Sequence, residues 1–118
     1  MEPEEVLAGE PVALAALARV REALEVVGPV EARASKSQVA FRRRRAFAWL
    51  WRPGRYLAGP VAPVVLSIAL RRHEPSPRFK EVVHPSPRHW IHHLEIRGPG
   101  ALDGEVLAWL AEAAARAG

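Results

Sequence analysis

Apolar side chains along residues 11–28 recur four, three, four and three apart, at Ala13, Leu17, Val20, Leu24 and Val27. This spacing draws one stripe down a helix and leaves Arg19, Glu22 and Glu25 on the opposite side. Pro11 suits a first helical position, where its missing N–H costs nothing, and Gly28-Pro29 is a stop signal. A helix over 11–28 is therefore predicted. Past Gly28 the period changes to two, the spacing of a strand with one buried face.

A short strand is predicted over 30–34, followed by a hairpin of strands over 37–43 and 46–52. Val39 and Phe41 share a face in the first arm. In the second, Phe47, Trp49 and Trp51 alternate with Ala46, Ala48 and Leu50. Arg42, Arg43, Arg44 and Arg45 join the arms, with no Asn-Gly or Asp-Gly to set the turn. The register is thus open, and a slip of one residue moves the aromatic row to the other face. The simplest assignment sends Phe47, Trp49 and Trp51 to the core. After a loop over 53–63, a strand over 64–71 turns Val64, Leu66, Ile68 and Leu70 inward. Two similar phrases, PSPRF at 75–79 and PSPRHW at 85–90, read as proline turns around a short segment over 79–83.

Residues 85–98 read as one long strand opened by a proline turn and closed by Gly98-Pro99-Gly100. Consecutive strand residues face opposite ways, so the adjacent His92 and His93 stand in different environments. Trp90, His92, Leu94 and Ile96 form the expected core face, and His89, Ile91, His93, Glu95 and Arg97 the wet one. A last helix over 103–116 has Asp103 as its N-cap and Leu102 with Leu107 as a staple. Val106, Leu107, Leu110 and Ala114 make its stripe, with Trp109 beside it. The expected fold is α+β: an antiparallel sheet of about five strands with both helices on one face. The other face is left open or serves a partner. Residues 1–10 read as a leader with one loose turn, and 11–118 as a single domain.

Composition narrows the chemistry. The 118 residues are 49% hydrophobic, enough to fold around one core, and contain no cysteine. Disulfides, thiolate catalysis and cysteine-held metals are therefore excluded. The acidic start MEPEEVLAGEP lacks a secretory pattern, and no run suits a membrane span, so a cytoplasmic, membrane-free protein is expected. The net charge of +4 rests on arginine, with Lys36 and Lys80 the two lysines. Together with abundant Ala, Pro and Gly, this bias points to a GC-rich bacterial genome. A charge so modest permits an anionic partner without requiring one.

Four phrases occur in order: KSQVAF at 36–41, RRAFAWLWRP at 44–53, PRFKEV at 77–82, and WIHHLEIRG at 90–98 followed by LDGEVLAWL at 102–110. Together they resemble the bacterial family called domain of unknown function number 5655, across nearly the whole chain. In that family a Lys-Ser/Thr-x-Val-x-Phe strand precedes an Arg-Phe/Ile-Lys phrase, a His-His strand and a capped helix carrying Trp. The arginine-rich hairpin departs from that pattern. The resemblance implies a fold and no reaction, and the family's fusion to other domains suggests a binding or accessory module.

Five candidate chemistries remain. Metal binding is not expected, because His92 and His93 diverge and His89 lies about 13 Å along the strand from His93. No cofactor motif is present, and none is expected. His93 and Glu95 share a strand face and are weak candidates for acid–base catalysis. Arg43, Arg44 and Arg45 with Trp49, Trp51 and Tyr56 form the alternative, a surface for single-stranded nucleic acid. The leading expectation is a non-enzymatic binding module for an anionic ligand or a protein partner. Its site is Lys36, Arg78 and His93, the two cations neutralising the anion and the imidazole hydrogen-bonding it. Self-association as a dimer through the open face or edges is the fifth.

Overall fold

A computed structural model describes residues 1–55 and 61–118. It shows three helices, α1 (Pro3–Val6), α2 (Pro11–Leu24) and α3 (Gly104–Ala117). Between α2 and α3 run six strands: β1 (Glu31–Ala34), β2 (Gln38–Arg42), β3 (Ala46–Trp51), β4 (Val64–Leu70), β5 (Glu81–Ser86) and β6 (His89–Ile96). They form one antiparallel sheet in the order β1-β2-β3-β4-β6-β5. The last hairpin thus inserts its second arm beside β4 and leaves β5 at the edge. The fold is α+β, with six strands where about five are expected. The additional strand is β5, which grows from the short segment over 79–83 and runs on through Pro85 to Ser86. The turn therefore falls at Pro87-Arg88, and β6 opens only at His89.

The core lies between the sheet and the helices. Val39, Phe41, Leu50, Leu66, Ile68, Leu94 and Ile96 pack there against Leu17, Val20 and Leu24 of α2 and Val106, Leu110 and Ala114 of α3. Trp109, expected at the edge of its stripe, goes inside against Phe79, with ring centroids 4.6 Å apart, while Leu107 stays partly exposed. Val6 and Leu7, from the segment the sequence sets apart as a leader, are also buried. Among the described residues no helix is long and apolar enough to cross a membrane.

A bulge decides the fate of the aromatic row. Phe41 pairs with Ala48 and Arg42 with Ala46, so Phe47 has no partner on β2. An inserted residue breaks the alternation, and Phe47 and Ala48 both turn inward. Alternation then resumes with Leu50 inside and Trp49 and Trp51 outside. The expectation that all three aromatics are core holds for Phe47 alone.

His92 is structural. It is fully buried, its Nδ1–H reaches the Trp90 and Ile68 carbonyls at 3.1 and 3.3 Å, and its Nε2 accepts from the Glu74 N–H at 3.0 Å. That pattern needs the neutral ring, and burial lowers its pKa accordingly.

Candidate functional site

The sheet face turned away from the helices carries one row across all six strands: Arg33, Ala40, Trp49, Ser67, His93 and Glu81. Beside it Gln38, Trp51, Val65 and Glu95 make a second row. β4 sits in mid-sheet and is apolar on both faces except at Ser67, a hydroxyl in the run VVLSIAL. Buried polar groups need partners. The Ser67 Oγ accepts from the Trp51 Nε1–H at 2.9 Å and lies 2.7 Å from the His93 Nδ1.

The Ser67 hydroxyl has one hydrogen and two lone pairs, one of them taken by the indole, and its hydrogen is used within the trio in the tautomer whose Nδ1 accepts it. We assign His93 that tautomer. The neutral imidazole then carries its proton on Nε2, which is left as a donor. Burial pushes the His93 pKa down, and the nearby Glu81 carboxylate pushes it weakly up. His93 is therefore neutral near pH 7, because burial disfavours its charged form. Trp51 stands edge-on to the imidazole, with centroids 6.0 Å apart.

Two clefts meet at Trp51 and His93. The first, about 450 Å³, is lined by Gln38, Trp49, Trp51, Ser67, Ile91 and His93. The second, about 330 Å³, lies between the sheet and Pro53 and Val61 of the β3–β4 connection, with Lys80, Glu81 and Glu95 on its rim. Tyr56, grouped by the sequence with Trp49 and Trp51 in the nucleic-acid alternative, lies outside the described residues. Among the described residues no charged side chain lines the first cleft. In the second, Lys80 Nζ is 3.2 Å from Glu95 Oε2, and Arg97 approaches the same oxygen at 3.6 Å.

The sequence-predicted site residues part company. His93 is at the junction of the clefts. Lys36 is exposed in the turn between β1 and β2 and does not line either cleft. Arg78 is drawn to the start of α3, where its guanidinium meets Asp103 and Glu105 at 2.9 Å and the Ala101 carbonyl at 3.0 Å. Glu95 is held by the two cations, while His93 is held by Ser67, so the pair shares a cleft without a hydrogen bond between them.

Three arginines of the hairpin, Arg43, Arg44 and Arg45, serve α3. The N–H groups of Arg44 and Arg45 donate to the Ala117 carbonyl, the Arg43 guanidinium to Ala114, and that of Arg45 to Arg116. They occupy the unpaired carbonyls at the helix end, where the dipole favours cations. Trp49 and Trp51 are on the opposite face of the sheet, so the structure divides the basic residues of the nucleic-acid alternative from its aromatic ones.

Sequence reasoning did not find Ser67, Gln38 or the role of the Trp51 indole N–H. The lone hydroxyl within an apolar strand was the available signal.

A family model described as Domain of unknown function (DUF5655) matches residues 4–114. Neither the curated proteins nor the solved structures include a match to the chain.

Proposed function

We propose, proceeding from the fact that the chain belongs to the DUF5655 family, that it is a binding module whose ligand sits on the open sheet face at the junction of the two clefts. The observation that carries this reading is the Trp51–Ser67–His93 chain of hydrogen bonds beside a 450 Å³ cleft. A concave, largely apolar surface with a few oriented polar groups is the usual form of a small-molecule site. The hydroxyl holds the imidazole through Nδ1 at the wall of the cleft, and in the assigned tautomer the other ring nitrogen is a donor. A flat face meant only for solvent has no need of such a relay.

A small ligand fits this surface better than the anion expected from sequence. Arg78 is engaged at α3, and the charges nearest His93 are two carboxylates and a lysine already paired to one of them. Chemical-shift mapping with a library of small planar and polar fragments tests the reading. Shifts are expected at the amides of Gln38, Trp49, Ser67, Ile91 and His93, and His93→Ala should abolish them. Shifts confined to the hairpin at 42–45 would instead support an anion or nucleic-acid site. No shifts on the sheet face would remove the basis for a small-ligand module.

A further inference from the structure

Resting on that reading, we infer that the ligand is an uncharged planar nitrogen heterocycle with a hydrogen-bonding edge, of the nucleobase or nucleoside class, bound without recognition of a phosphate. The inference joins three properties of the first cleft. Its walls are two indoles and Ile91, surfaces that favour a flat, polarisable ring. Its polar groups are the Gln38 carboxamide, which offers both donor and acceptor, and the His93 imidazole, whose Nε2–H is a donor in the tautomer assigned from the Ser67 contact. A heterocycle whose edge alternates carbonyl or ring nitrogen with N–H can satisfy both.

The third property is charge. Among the described residues no cation lines the first cleft, and the second carries Glu81 and Glu95 against a Lys80 already bound to Glu95. A phosphate there would leave water for a rim that is neutral to acidic and gain no bidentate partner. A ribose, neutral and rich in hydroxyls, has carboxylate acceptors within that rim. Arg43 and Arg45 of the hairpin reach the helix layer instead, and Arg33 on the open face is paired with Glu31 at 3.0 Å. This separates the proposal from single-stranded nucleic-acid binding, which needs base stacking and backbone neutralisation on one surface.

Calorimetry and chemical-shift mapping on the full chain test the inference, using adenosine, guanosine, uridine, their 5′-monophosphates and quinoline as probes. At least one nucleoside is expected to bind with Kd at or below about 1 mM, with its monophosphate no tighter. Gln38→Leu, on the rim of the sheet, should weaken it about fivefold, the value of one ordinary hydrogen bond. His93→Gln, which keeps a side-chain donor, should weaken it less than His93→Phe. If quinoline shifts the cleft amides and no nucleoside does, this ligand class is wrong while the small-molecule site stands. If no probe shifts them, the inference fails, and a negative fragment library would end the broader reading as well. Monophosphates or oligonucleotides that bind tighter than nucleosides, with affinity falling steeply in salt, would overturn the claim of phosphate independence.

Discussion

At the scale of single residues, two neighbours show how environment divides one chemistry into two roles. His92 spends both ring nitrogens on backbone groups and has nothing left for a ligand. His93 spends one on Ser67 and keeps the other. The Ser67 hydroxyl is thus the hinge of the candidate site. Ser67→Ala leaves the Trp51 indole without this acceptor and the His93 Nδ1 without a proton to accept, and should cost about 1–3 kcal/mol. Urea unfolding measures the loss, and a midpoint unchanged from the parent chain would show that the relay contributes nothing to the fold. The inward-facing phenyl of Phe47 makes a second case. Phe47→Ala is expected to cost about 3–5 kcal/mol, as for a buried aromatic. Trp49→Ala, on the open face, should cost far less, and equal losses would contradict the placement produced by the bulge.

At the scale of elements, the hairpin turn and α3 depend on each other. Four arginines in a row look like a solvated tip or a phosphate-binding patch. Here the main chain of two and the side chains of two take up the helix's terminal carbonyls. Replacing Arg43 and Arg45 together with alanine should destabilise the fold by about 0.5–2 kcal/mol, with more rapid amide exchange in the last turn of α3. Unchanged protection there would argue that these contacts are incidental. At the other end of α3, Asp103 caps Val106 and pairs with Arg78. The capping role was legible in the sequence because it needs only a short polar side chain at one position. The Arg78 pairing was not, because it joins residues 25 positions apart.

At the scale of the whole molecule, the first ten residues and the solvent pH both bear on stability. Val6 and Leu7 are buried in the common core. Removing residues 1–10 should therefore cost about 3–6 kcal/mol, from two apolar side chains at roughly 1.5–3 kcal/mol each. A truncated chain that unfolds at the same urea concentration would confirm the leader reading. The histidines set the upper arm of the pH dependence. Burial holds His92 and His93 below the ordinary value of 6.5, so the unfolded chain takes up protons first as pH falls through that value. Stability is full above it and declines on acidification. Arg72 holds Glu74 and Glu112 below the ordinary value of 4.5, so the unfolded chain again takes up protons first below it, and the stability these pairs contribute falls in the same direction. The urea midpoint should fall from about pH 7 to pH 5, and His92→Gln should flatten that arm; a flat parent profile would refute it. The sequence by itself determined the two long helices, five of the six strands, the two sides of the His-His strand and the α+β class, because periodicity and caps are local properties of consecutive residues. Only tertiary structure decided that Phe47 turns in while Trp49 and Trp51 turn out, that β6 inserts beside β4, and that Ser67 meets His93. Each of these depends on a register between strands, and register is an agreement between distant segments that neither one specifies alone.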